Sequence, residues 1–130
     1  MTRQNISSGT PWEARFGYSR AVRVDDRIVV AGTIAVDDQG KLLHPQDAAA
    51  QANIILDRIE SALAEAGSNL KEVVSLRTYI TSMANAEDIG LTFKERLGDT
   101  APVSTMVVVA ALFADALVEI EAEAILKSGL

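Results

Sequence analysis

The sequence predicts an α+β fold: a single mixed β-sheet with two helices packed on one face. Three observations carry that expectation. The stretch Val103 to Ile125 holds two apolar, β-like runs joined by a short acidic turn. Pro45 to Ala66 repeats apolar residues at helical steps. Read along the chain, the elements fall in the order β-β-α-β-α-β-β.

Residues 1–17 are rich in Ser, Thr, Gly and Pro and read as an irregular lead-in. They hold the only tryptophan, Trp12, which reads as a packing anchor against a neighbouring subunit rather than a ligand-stacking surface. Ser19 to Val24 partly alternates and predicts a strand. Asp25-Asp26 is a turn signal, and Arg27 to Ala35 is the second arm of a hairpin. Asp37 to Gly40 is another turn, with a short extension at Lys41 to Leu43.

Pro45 suits a first helical position, and Asp47 sits where a carboxylate meets the positive end of the helix dipole. Ala52, Ile55, Leu56, Ile59, Leu63 and Ala66 form one apolar stripe, and Gly67 ends the helix. Val73 to Thr81 is a strand with Val74, Leu76, Thr78 and Ile80 on one face. Ala86 to Leu97 is a weaker helix that ends at Gly98. In the closing strands, Val107, Val108 and Val109 are apolar on both faces. That favours burial on both sides, and hence an oligomer.

At 130 residues, 48% of them hydrophobic, the chain is expected to form one domain over residues 1–130. It has no cysteine, which excludes disulfides, thiolate catalysis and Cys-based zinc sites. A net charge of -6 with no basic block is a poor match for phosphate backbones, so no nucleic-acid partner is expected. Arg15, Arg20, Arg23 and Arg27 cluster early but split between faces. No apolar run approaches the roughly 20 residues of a membrane span, and the N-terminus lacks a signal-peptide core. The expectations are therefore no membrane and a cytoplasmic location. One histidine and scattered carboxylates do not make a metal site. That histidine, His44, reads as a helix-entry residue.

Period-2 spacing puts Glu119, Glu121 and Glu123 on one strand face, with Val118, Ile120 and Ala122 on the other. Such a row is either solvated or pointed into a site, where a glutamate in a partly dry cleft can hold or move protons. Gly32 interrupts a strand, which marks a bulge or a close backbone approach.

These residues carry a resemblance. Tyr18-Ser19-Arg20-Ala21-Val22 is like Tyr-Ser-Gln-Ala-Val of the Rid/YjgF family, the reactive intermediate deaminases. Val30-Ala31-Gly32-Thr33-Ile34 is like its Val-Ser-Gly-Gln-Ile, and Glu119-Ile120-Glu121-Ala122 like its Glu-Ile-Glu-Ala. Each match is short, but together and in order they cover residues 14–127. The resemblance implies the chorismate-mutase-like Rid fold and a homotrimer with pockets between subunits. It also implies hydrolysis of small imine or enamine metabolites to a 2-oxo acid and ammonia, without cofactor or metal. By the same resemblance Glu119 orients the water, and Tyr18 and Gly32 shape the pocket.

The chain also departs from that pattern. The family's Pro-Ala-Arg-Ser-Cys-Val reads here Pro102-Val103-Ser104-Thr105-Met106-Val107. Ser104 replaces an arginine that grips the substrate carboxylate, and Gly90 falls where an asparagine is expected. Losing a charge-assisted contact costs about 1.5–3 kcal/mol, or one to two powers of ten in affinity. Ser104 and Thr105 would suit a hydroxyl, amide or carbonyl instead, or Arg15 or Arg20 supplies the cation. Two readings stay open: an imine or enamine deaminase with a non-archetypal pocket, and a non-catalytic metabolite-binding protein on the same fold. Ribonuclease activity, also attached to parts of this family, is disfavoured by the acidic balance and the single histidine.

Overall fold

The computed structural model describes residues 1–129. Strand β1 spans Arg3–Ile6 and helix α1 spans Pro11–Phe16. Strands β2 (Ala21–Val24) and β3 (Arg27–Thr33) form the expected hairpin around Asp25-Asp26. Helix α2 (Ala48–Glu65), strand β4 (Val73–Ile80), helix α3 (Ala86–Leu97), strand β5 (Val103–Val108) and strand β6 (Val118–Ile125) follow. The sheet order is β1-β2-β3-β6-β4-β5. Only β4 and β5 pair in parallel, with α3 as their crossover. The sheet is therefore mixed, as the sequence predicts.

Strand β6 lies between β3 and β4 and is antiparallel to both. Its Val118, Ile120, Ala122 and Ala124 are buried, and they register beside Ile80, Thr78 and Leu76 of β4 and Val30 and Ile28 of β3. Helix α2 packs its stripe of Ala52, Ile55, Leu56, Ile59 and Leu63 over this surface, and α3 packs beside α2 with Ile89 and Phe93. Both long helices thus cover one face. Helix α2 begins three residues later than the position of Pro45 suggests. His44 takes φ 46, and Asp47 caps the helix by accepting from the Ala50 amide at 3.0 Å.

The lead-in is not irregular. Residues Arg3–Ile6 add a strand to the sheet edge, with Ile6 in register with Ala21 and both buried. The other three residues of β1 are exposed, so no alternation marks it in the sequence. Helix α1 is a single short turn that starts at Pro11 and stops at Gly17, which takes φ 71. Trp12 packs within the chain. Its ring fills the space over Gly40, where an added Cβ would lie 2.6 Å from the indole.

Strand β5 is the other edge. Val103, Val107 and Val108 are 71%, 41% and 49% exposed, so the burial its sequence calls for is not achieved within one chain. No helix among the described residues is long and apolar enough to cross a membrane.

Ile120 has no solvent exposure and sits on the central strand. Replacing it by alanine should cost about 2–5 kcal/mol. Urea denaturation monitored by circular dichroism would show the loss as a lower midpoint; an unchanged midpoint would contradict the packing described.

Candidate active site

The alternation that buries Ile120 turns Glu119, Glu121 and Glu123 to the face without helices. The three carboxylates then differ in what meets them. Glu123 pairs with Arg27 at 2.9 Å, an exposed bridge that contributes little. Glu121 accepts the hydroxyl of Tyr79. Glu119 has no hydrogen-bond or ion-pair partner among the described residues.

Gly32 makes room for it. The register of β3 against β6 slips between Val30 and Thr33, so Ala31 and Gly32 bulge. A Cβ at Gly32 would lie 2.6 Å from Glu119 Oε2. Its φ is not positive, so the glycine is there for close approach rather than for a left-handed turn.

A cleft of about 350 Å³ opens at this point. Its polar side is Gly32, Glu119, Glu121 and Tyr79. Its apolar side is Val109, Ala111 and Leu112, from the loop between β5 and β6. Burial pushes the Glu119 carboxyl above its ordinary value, the negative charge of Glu121 adds to this, and Arg20 partly offsets both. The hydrogen bond to Glu121, and then burial, push the Tyr79 hydroxyl up. Glu119 is therefore a half-buried, unpartnered carboxylate that retains its proton longer than an exposed one. Among the described residues, no three His, Asp or Glu side chains converge as metal ligands would.

Of the residues singled out from sequence, the fold brings Gly32 and Glu119 together in the cleft. The others stand apart within one chain. Tyr18 is 42% exposed and lies against Arg20, its ring centroid 5.8 Å from the guanidinium carbon. Arg15 is exposed on α1 and covers the ring of Phe16 at 5.1 Å. Thr105 is in register with Arg77 on the open face, away from the cleft lining. Ser104 is in register with buried Leu76, so it belongs to the helix-bearing face, opposite Glu119.

Sequence reasoning missed Tyr79 and the loop at Val109 to Leu112. Tyr79 had a signal: once Leu76, Thr78 and Ile80 are assigned inward, it must point outward. The loop had none. It runs into Ala114 and Asp115, both at positive φ (59 and 57), a conformation that an alanine does not announce.

The chain has clear relatives. The family model described as Endoribonuclease L-PSP matches residues 10–126. An uncharacterized protein of Streptomyces coelicolor is 34% identical over 124 residues, covering 93% of this chain and 90% of the relative. The 3-aminoacrylate deaminase RutC of Acinetobacter baylyi is 30% identical over 103 residues, covering 79% and 82%. The crystal structure of Rv2704 from Mycobacterium tuberculosis, of the YjgF/YER057c/UK114 family, is 41% identical. It superposes with a TM-score of 0.87 over 96% of this chain and 100% of the other.

The raised Glu119 carboxyl has a consequence for stability. Between the ordinary value of 4.5 and its higher folded midpoint, the folded state binds more protons than the unfolded chain. Stability from this group is therefore present at low pH and lost as pH rises through that window. Glu119→Gln should raise the melting temperature relative to wild type at about pH 8 and lose that advantage near pH 4. Thermal melts across pH test this; a constant difference would mean that Glu119 is not desolvated.

Proposed function

The chain belongs to the Endoribonuclease L-PSP family, also known as YjgF/YER057c/UK114 or Rid, and from that premise we propose that it hydrolyses a small imine or enamine metabolite. One observation carries the reading. Glu119 is a half-buried carboxylate without a partner, facing a cleft, with a glycine opposite that leaves its oxygen uncovered.

The chemistry asks for little more. Water adds to the carbon of a C=N bond, a proton moves to the nitrogen, and ammonia leaves as the carbonyl forms. Glu119 takes the proton from the attacking water and returns it to the departing nitrogen. Desolvation brings the carboxyl closer to the neutral range, which suits a group that both accepts and donates. An enamine enters the same route after protonation at carbon. The relative named as a 3-aminoacrylate deaminase supports C–N chemistry of this kind. No step calls for a cofactor or metal.

The working unit we propose is a homotrimer in the cytoplasm. The exposed valines of β5 and the open face of the sheet are surfaces that a second copy would cover. Within one chain Ser104 and Glu119 lie on opposite faces, so a pocket using both needs two chains. In that arrangement Ser104, Thr105, Tyr18 and Arg15 reach a partner's cleft rather than their own.

A second reading has its own observation. Ser104 stands where a substrate-gripping arginine is expected, which favours a protein that binds a metabolite without turning it over. An RNA substrate is disfavoured by the net charge of -6 and by acidic residues in the cleft.

Ammonia release from imines generated in situ by an amino-acid or amine oxidase separates the readings. Acceleration by wild type should fall to background in Glu119→Ala, with the melting temperature and oligomeric state retained. Full turnover in that variant removes Glu119 from the mechanism. A compound that raises the melting temperature and is recovered intact supports binding alone.

A further inference from the structure

Arg20 lies just before β2 and reaches across to β3. Its Nη1 donates to the Gly32 carbonyl at 2.9 Å and to Thr33 Oγ1 at 3.0 Å. Its Nε is 3.5 Å from Glu13 Oε2, and the two side chains are 13% and 3% exposed. Glu13 is itself held on its other side. It accepts from Ser7 Oγ at 2.9 Å, the Ser8 amide at 3.0 Å, Thr10 Oγ1 at 3.1 Å and the Ser8 hydroxyl. A carboxylate this buried survives only with such a set of donors. Burial pushes Glu13 up, but the Ser8, Ser7 and Thr10 hydrogen bonds outweigh it and hold the carboxyl below its ordinary value.

The chain of contacts thus runs from the Ser7–Thr10 loop through Glu13 and Arg20 to the bulge at Gly32. Gly32 is the residue against which Glu119 packs. The guanidinium is turned toward the protein's own carbonyl and carboxylate, and Arg20 is not among the residues lining the cleft. It is therefore badly placed to grip a substrate anion and well placed to act on Glu119.

We propose that Arg20 is a positioning residue for Glu119: its guanidinium, paired with Glu13, fixes the Gly32 bulge against which Glu119 packs and sets a cation behind it. This rests on the reading of Glu119 as the proton carrier. The other charged or titratable groups on the open face near Glu119 are few. Glu121 lies on its own strand, and Tyr79 and Arg77 lie on β4. Arg27 on β3 is engaged by Glu123. The Val109 to Leu112 loop brings no ionisable side chain. Arg20 also belongs to the groups that lower the Glu119 carboxyl.

The test is a titration of the Glu119 side-chain carboxyl by NMR in protein labelled at glutamate, with Glu119→Gln to assign the signal. Arg20→Gln keeps a donor for the Gly32 carbonyl but removes the charge, and should move the Glu119 midpoint upward. Arg20→Lys keeps the charge and should titrate close to wild type. An unchanged midpoint in folded Arg20→Gln overturns the proposal, as does an Arg20→Lys shift as large as that of Arg20→Gln. Should Arg20→Gln not fold, Glu13→Gln decides. Removing the balancing negative charge should lower the Glu119 midpoint, and an unchanged or raised midpoint overturns the proposal. The readout needs no turnover, so a failure of this proposal and a failure of imine hydrolysis are told apart. Where turnover is seen, the acid limb of the pH–rate profile of Arg20→Gln should move to higher pH.

Discussion

The alternation along β6 governs both the fold and the site. A strand has two faces, and this one spends one of them on the core: Val118, Ile120, Ala122 and Ala124 are buried under α2. The residues between them then have no choice of direction. Three carboxylates are delivered to the opposite face because the hydrophobic effect has fixed the first one. A slip of one residue would bury three glutamates and expose the apolar set, so the register is held by a large penalty. The central place of β6 in the sheet passes that constraint to β3 and β4 on either side.

Three like charges on one face would repel one another if nothing intervened. The neighbouring strands resolve this unevenly. Arg27 takes one carboxylate and the Tyr79 hydroxyl takes the next. The third meets a bulge with a glycine, where no side chain can reach it. What distinguishes Glu119 is thus less its own identity than the failure of its neighbours to satisfy it. That failure costs stability at neutral pH, which is common where a group is kept for chemistry. The Glu13–Arg20 pair limits the cost by placing a cation behind the bulge without filling the cleft.

The parts of this arrangement that depend on periodicity were legible in the sequence. The β6 alternation, the α2 stripe and the outward row of glutamates are all consequences of spacing. The hairpin, with its Asp25-Asp26 turn, was equally plain. The parts that depend on long-range pairing were not. Strand β1 has one buried residue in four, and only its partner β2 makes it a strand. The partnership of Glu13 with Arg20 spans a helix end and a loop, and nothing in either residue's neighbourhood forecasts it. Gly32 and Glu119 are far apart in the chain, and their approach was indicated only by family resemblance.

Strand β5 marks where the single chain stops being sufficient. Its valines are apolar on both faces, as befits a strand covered on both sides, yet it forms a sheet edge with most residues exposed. An exposed edge of this composition invites association. The same strand carries Ser104 and Thr105 on opposite faces, only Thr105 sharing the open face with Glu119. Whatever Ser104 contributes to a pocket containing Glu119 must therefore be offered to a different copy of the chain. Position 104 thus stands apart from the carboxylate, its glycine and its supporting ion pair, so a different residue there leaves these intact within the chain. Ser104 and Glu119 are in this way separable in the fold, and a change at the first need not disturb the second.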